Sequence, residues 1–213
     1  MRINFSKKSF LFLAFACTLL FSCKKEDDDN IQGNVRPEDV VDEDHVALTG
    51  LYGIHAIFPA EGWTNSYLDT FPEVMHEYYD KYRSNAVFAA RVEDKIGDLG
   101  YDSEMYIMRF YMPVESQEKA KEVAKDYRSH MYGAFEGLYY SNISTIETTH
   151  VGKKEYEASY FEAQRTESLG ESVEHVYIIY NNKTLYGVNI LLAKDKEEDL
   201  DEFLEILKTL ELD

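Results

Sequence analysis

The chain has 213 residues, of which 22 are lysine or arginine and 40 are aspartate or glutamate, so its formal net charge is −18 at pH 7. Nucleic acid and anionic lipid are negatively charged and therefore repel such an acidic chain. Binding to either requires basic side chains. The length suffices for one domain with a tail, and a hydrophobic content of 45% supplies the material for a core.

The first 22 residues have the layout of a secretory signal peptide. Arg2, Lys7 and Lys8 form a basic start, and an uncharged apolar run follows over residues 10–21. The run is shorter than the roughly 20 apolar residues that an ordinary membrane span needs. A transmembrane anchor is the alternative interpretation of the same run.

The segment Leu20-Phe21-Ser22-Cys23 resembles the cleavage box of bacterial lipoproteins. In that family the cysteine thiol is lipidated, the signal is removed before it, and the new amino terminus is acylated. The resemblance implies that Cys23 is the lipidated first residue of the mature protein. Two or more acyl chains anchor a protein stably, whereas a single chain gives only marginal membrane binding.

The other cysteine, Cys17, lies inside the predicted signal. With Cys23 lipidated, the mature chain would have no thiol for a disulfide, a thiolate metal site or a cysteine nucleophile. We therefore expect the stability of the exported domain to come from its apolar core.

A charged block directly follows the cysteine, with the sequence Lys25-Glu26-Asp27-Asp28-Asp29. It resembles the export tag of surface lipoproteins of the Bacteroidetes. The resemblance implies an outer-membrane protein that faces outward. The alternatives are a plain solvated acidic tether and a position on the periplasmic face of the outer membrane.

Residues 23–50 are acidic and contain few large apolar side chains. This composition predicts a disordered tether. A flexible coil of that length spans roughly 30 Å. We therefore expect a single α/β domain at 51–213, held clear of the membrane.

Hydrophobic periodicity predicts the elements of that domain. Strands are predicted at 54–58, 86–92, 104–112, 142–149, 153–165, 172–181 and 183–193, and helices at about 72–82, at 116–132 and from residue 195 to residue 210. The last two strands are expected to form a hairpin that turns at Asn181-Asn182, since asparagine tolerates positive φ. On the final strand Tyr186, Val188, Ile190 and Leu192 should share one face.

Two of the predicted helices carry capping signals and apolar stripes. Ser116 should cap the first, and Gly133 should end it. Asp195 and Glu198 have the spacing of a capping box before the last. The expected stripes are Ala120, Val123, Ala124, Tyr127 and Met131 on the first helix, and Leu200, Phe203, Leu204, Leu207 and Leu210 on the last.

These elements together resemble a known superfamily. An early strand leads into Phe58-Pro59-x-x-Gly62-Trp63, and antiparallel strands surround a middle helix before a closing hairpin runs into the last helix. The pattern is similar to PsbP-like proteins, which include photosystem extrinsic subunits, Ran-binding relatives and DcrB-like envelope lipoproteins. The resemblance implies an α+β fold, in which helices flank an antiparallel β-sheet in an α/β/α sandwich. It also implies a binding or assembly role rather than catalysis.

Five residues are candidates for ligand binding. Trp63 is the only tryptophan and would act either as a recognition anchor or as a plug at one end of the fold. Tyr139 and Tyr140 form an aromatic pair for a glycan or peptide, unless one of them packs in the core. Arg91 and Arg109 stand among apolar residues of predicted strands, where arginine either recognises an anion or pairs with an acid.

Known catalytic and metal-binding motifs are not recognisable. His76-Glu77-x-x-Asp80 lacks the second histidine of a zinc-protease helix. No phosphate loop, dinucleotide fingerprint, calcium loop or nucleophile elbow is present. Asp94, Asp98 and Asp102 around two glycines form either a weak cation site or a plain acidic turn.

We therefore expect a non-enzymatic, lipid-anchored binding or assembly module of the cell envelope. Its partners would be the membrane, through the lipid, and an envelope protein or glycan, without a cofactor, a metal or nucleic acid. The alternatives are an envelope hydrolase with a scattered site that includes His175 and Arg109, and an acidic surface protein that binds cations.

Overall fold

The computed structural model describes residues 44–48, 51–68, 84–95, 102–131, 139–167 and 170–213. These residues form antiparallel strands and two α-helices. The helices are α1 (Gln117–Met131) and α2 (Leu200–Lys208). The strands are β1 (His45–Leu48), β2 (Ile54–Pro59), β3 (Trp63–Leu68), β4 (Ser84–Arg91), β5 (Ser103–Pro113), β6 (Tyr139–Ser141), β7 (Glu147–Val151), β8 (Tyr156–Glu167), β9 (Gly170–Asn181), β10 (Thr184–Ala193) and β11 (Glu211–Leu212).

The strands form one large and one small sheet. The large sheet has eight strands in the order β3-β4-β5-β10-β9-β8-β6, and β7 pairs with β8 beside β6. The small sheet has the order β1-β2-β11. Every pairing among these strands is antiparallel.

Each face of the large sheet belongs to a different apolar core. Side chains alternate between the two faces of a strand, so on β10 Leu185 joins one cluster while Tyr186 and Val188 join the other. The cluster with Leu185 includes the buried stripe of α1. The cluster with Tyr186 includes α2 and the small sheet. The expected helix-flanked sandwich is therefore met only roughly, because strands as well as a helix cover the second face.

Helix α1 begins and packs as its sequence predicts. The Ser116 hydroxyl accepts a hydrogen bond from the Lys119 backbone N–H at 3.3 Å, which caps the first turn. Ala120, Ala124, Tyr127 and Met131 are buried against the sheet. The 3.6-residue repeat places these side chains in a single stripe.

Helix α2 differs from its prediction at both ends. Residues Lys194–Asp199 form a 3₁₀ turn, and Asp199 precedes α2 without a side-chain cap, so the predicted capping box of Asp195 and Glu198 is wrong. After Lys208 the chain leaves the helix and adds β11 to the small sheet. Phe203, Leu207 and Leu210 are buried as expected.

Three further predictions need correction. The tether was expected to reach residue 50, but β1 pairs with β2 and its Val46 is buried in the core. Strand β3 was not predicted, because Thr64, Asn65 and Ser66 interrupt any apolar alternation. Residues 143–146 are irregular, so the strand predicted at 142–149 is reduced to β7.

The β9–β10 hairpin forms with its turn one residue later than predicted. Asn181 pairs with Thr184, which leaves Asn182 and Lys183 as the two loop residues. Both have positive φ, 47° and 63°, as a type I′ turn requires.

Several predictions lie outside the described residues. These are the signal, Cys23, the tag Lys25, Glu26, Asp27, Asp28 and Asp29, the helix predicted at 72–82 with His76, and the positions of Asp98 and Gly133. Within the described ranges no helix is both long and apolar enough to cross a membrane.

Candidate functional site

Trp63 lies at the start of β3 and packs inward. Its ring meets that of Phe203 on α2 edge-on, with centroids 5.0 Å apart. The side chain is half-buried and joins the core that α2 covers. This inward packing corresponds to the plug alternative for Trp63. An aromatic pair of this kind adds about 0.5–1.5 kcal/mol to stability beyond its buried area.

Arg91 lies directly across from Trp63 and is held among acids. Its guanidinium nitrogens are 2.8 Å from Asp199 Oδ1 and 3.6 Å from Glu202 Oε1, and they also contact Glu93. Lys196 donates to Asp94 Oδ1 at 2.8 Å, and Arg91 is 3.9 Å from the other oxygen of that carboxylate. Arg91 is therefore paired with acidic side chains, which is the second of its two predicted roles.

These ion pairs connect three elements at one end of the large sheet. Arg91 ends β4, Asp94 closes the short 3₁₀ turn Val92–Asp94, and Lys196 lies in the turn before α2. Burial, Asp195 and Asp94 raise the pKa of nearby Asp102, and Lys196 partly opposes them. Among the described residues, no group of three or more histidine, cysteine or acidic side chains is arranged to hold a metal ion.

Arg109 and His175, which the hydrolase hypothesis joins, are far apart. Arg109 is exposed on β5, pairs in register with Tyr186, and donates to the Tyr52 carbonyl at 3.4 Å. His175 pairs with Ile190, four residues further along β10. At about 3.3 Å per residue this separates them by roughly 13 Å along the strand alone.

His175 is instead part of an aromatic cluster. The Tyr160 hydroxyl is 2.9 Å from its Nδ1, and the two rings are nearly parallel, with centroids 6.2 Å apart. Burial lowers the pKa of His175, against the raising effect of Glu162 and Glu197. Burial likewise raises the pKa of Tyr177 to about 12 and raises that of Tyr160. Burial therefore favours the neutral form of each of these rings.

Tyr140 belongs to a polar cluster on the face that α1 covers. Its hydroxyl donates to Glu174 Oε2 at 2.9 Å, and Asn189 Nδ2 donates to Glu174 Oε1 at 2.6 Å. Asn189 Nδ2 also lies 3.5 Å from the hydroxyl of Tyr127. Burial raises the pKa of Tyr127 and of Tyr106. The side chain of Tyr139 lies outside the described residues.

An open groove of about 470 Å³ runs between the end of β5 and the start of α1. Its lining residues are Met112, Pro113, Val114, Glu115, Lys119, Glu122, Val123 and Asp126. Sequence reasoning missed it, since the groove depends on how α1 sits on the sheet. One signal was present: Glu122 and Asp126 are four residues apart on the outer side of the predicted helix.

The electrostatics of the groove are dominated by acids. Three carboxylates line it against one ammonium group, that of Lys119. Lys119 Nζ lies 2.7 Å from Glu122 Oε2, and this hydrogen bond raises the pKa of the lysine. Both side chains are mostly exposed, so solvent screens the pair and it contributes little to stability.

The comparisons with known proteins identify the fold. No protein-family model matches the sequence, and no curated protein matches it. Among solved structures, cyanobacterial PsbP (CyanoP) from Synechocystis sp. PCC 6803 is similar with a TM-score of 0.52 at 9% identity, over 76% of this chain and 88% of that one. The fold is therefore PsbP-like: mostly antiparallel sheets with two helices in the described part of the chain.

Proposed function

We propose that this protein is a lipoprotein of a Bacteroidetes-type outer membrane, whose PsbP-like domain binds or assembles envelope components without catalysing a reaction. Cys23 carries the lipid, and Lys25-Glu26-Asp27-Asp28-Asp29 directs the protein to the outer surface. The acidic segment that follows acts as an arm between the membrane and the domain. The domain itself is the helix-flanked sandwich implied by the sequence resemblance.

The observation that carries the binding role is the groove between β5 and α1. At about 470 Å³ it lies within the range of roughly 300–1,000 Å³ typical of ligand pockets. It combines apolar and charged lining, as recognition sites do. Arg109 and His175 lie roughly 13 Å apart along the strand, so they do not form the joint site of the hydrolase hypothesis, and this supports the binding role.

The anchor is tested by changing Cys23→Ala in the native host, with Cys17→Ala as the control inside the signal. We expect the Cys23 variant to leave the detergent phase or to stay uncut, while the control partitions like the wild type. Mass spectrometry of the native protein should show acyl chains on Cys23. An unmodified thiol there, or unchanged partitioning of the variant, would refute the anchor.

The outward orientation is tested by treating intact cells with protease. We expect the wild-type domain to be degraded, and a variant with neutral residues at 25–29 to be protected because it stays on the periplasmic side. Full protection of the wild type would contradict surface exposure and leave the periplasmic face as the location.

The binding role is tested by chemical crosslinking in native membranes. We expect a discrete crosslinked species that disappears when residues lining the groove are changed. A crosslinking pattern that these changes do not alter would contradict binding through this groove.

A further inference from the structure

We propose that the groove between β5 and α1 takes a short basic segment of another protein, in which lysine or arginine stands next to an apolar residue. This inference rests on the proposed binding role and names the chemistry of the partner. It follows from the shape of the groove, from its charge and from the charge of the whole chain.

The groove has an apolar part and a charged part. Val114 is buried, with 3% of its surface exposed, and Met112 and Val123 are half-buried against the core below α1. Together with Pro113 they supply a surface from which an apolar side chain displaces water. The volume of about 470 Å³ holds a few side chains and not a folded domain, so the occupant is a short segment.

The charged part selects a cation. Glu115, Glu122 and Asp126 line the groove, and the single Lys119 is already hydrogen-bonded to Glu122. An incoming ammonium or guanidinium group gains attraction from the carboxylates of Glu115 and Glu122. The exposed Lys119–Glu122 pair contributes little to stability. Glu122 can therefore release Lys119 and pair with the incoming cation at little cost in free energy.

The charge of the whole chain disfavours two other occupants. At a net charge of −18 a second copy of this chain is repelled, and so is an anionic lipid surface. Lysine and arginine fit both parts of the groove at once, because their apolar stems lie along hydrophobic surface while their charged ends reach the acids.

The test uses the full-length protein in neutral detergent and three fluorescent peptides of eight residues. One alternates lysine with leucine, one serine with leucine, and one glutamate with leucine. We expect the lysine peptide to bind more tightly than the serine peptide, the glutamate peptide not to bind, and the affinity for the lysine peptide to fall as salt is raised.

The decisive comparison is between two variants of equal net charge. One carries Glu115→Gln, Glu122→Gln and Asp126→Asn. The control carries Glu155→Gln, Glu198→Gln and Asp201→Asn, three exposed acids outside the groove. We expect the groove variant to lose about tenfold in affinity for the lysine peptide, since the acidic lining of the groove becomes neutral. The control should lose less than about twofold.

Equal losses in the two variants would mean attraction to the whole acidic surface and would overturn the proposal. So would equal binding of the lysine and serine peptides. Melting curves verify that both variants are folded. Because peptide binding is scored as the difference between the groove variant and its control, which both keep Cys23, loss of anchoring in the Cys23→Ala variant and loss of peptide binding in the groove variant are separate outcomes.

Discussion

The hydroxyl of Tyr140 donates a hydrogen bond of 2.9 Å to Oε2 of Glu174, a carboxylate that is only 5% exposed. The tyrosine comes from β6 near one edge of the large sheet, and the glutamate from β9 in its interior. Tyr140 is a predicted ligand-binding residue, and its hydroxyl thus donates a hydrogen bond to a buried carboxylate. Buried polar groups of this kind are costly when a partner is lost.

Tyr140→Phe should therefore destabilise the fold. Removing one donor to the buried carboxylate costs about 1–3 kcal/mol, while the ring keeps its packing. Urea unfolding of the variant and the wild type measures the difference. Tyr111→Phe is the matched control, because Tyr111 is 55% exposed. Equal stability of the Tyr140 variant and the wild type would show that the hydroxyl contributes nothing there.

Arg91→Met should be more damaging than the same change at Arg109. The side chains of Asp94 and Asp199 are only 1% and 12% exposed. Among the ion pairs of the described residues, loss of Arg91 leaves Asp94 with Lys196 alone and takes the partner at 2.8 Å from Asp199. Removing one partner of a buried ion pair costs about 3–5 kcal/mol. The exposed Arg109 should cost less than about 1 kcal/mol.

Adding Asp199→Asn to Arg91→Met should restore part of the lost stability, because it removes a buried charge whose partner at 2.8 Å is gone. Urea unfolding of the single and double variants measures this recovery. If Arg91→Met leaves the fold intact and abolishes binding of an anionic ligand, the alternative of anion recognition by Arg91 holds.

Leu207→Asp should unfold the domain. Leu207 is 3% exposed in the core between α2 and the large sheet, and an aspartate there would be a buried charge without a partner. Circular dichroism during heating gives the measurement. Lys208→Asp, one residue on and exposed, should cost no more than about 1 kcal/mol. A wild-type melting curve for Leu207→Asp would mean that the stripe of α2 is not packed.

His175 makes stability fall as the pH falls. Its pKa is lowered in the folded protein by burial, so below the ordinary value of 6.5 the unfolded chain binds a proton that the folded chain does not. Stability should decline from pH 6.5 down to the lower folded pKa. Glu162 and Glu197 raise the pKa of His175 and so moderate the effect.

His175→Gln should remove this part of the pH dependence. The free energy of unfolding, measured in urea at pH 7.5, 6.5 and 5.5, should fall less steeply in the variant than in the wild type. Identical slopes for the wild type and His175→Gln would contradict the lowered pKa.

Local patterns sufficed for the regular elements. The strands β5, β9 and β10 and the helix α1 follow from alternation, the 3.6-residue stripe and the Ser116 cap, because those signals depend on neighbours along the chain. The face shared by Tyr186 and Val188 was predicted correctly for the same reason. The PsbP-like layout followed from their order.

What each candidate residue touches was decided by the tertiary structure alone. Arg91 meets Asp199, more than 100 positions away, and Tyr140 meets Glu174 from a non-neighbouring strand. β1, β3 and β11 are short or polar, and they exist because partner strands complete their backbone hydrogen bonds. The groove between β5 and α1 likewise forms only when the helix packs on the sheet, since no local pattern encodes a space between two elements.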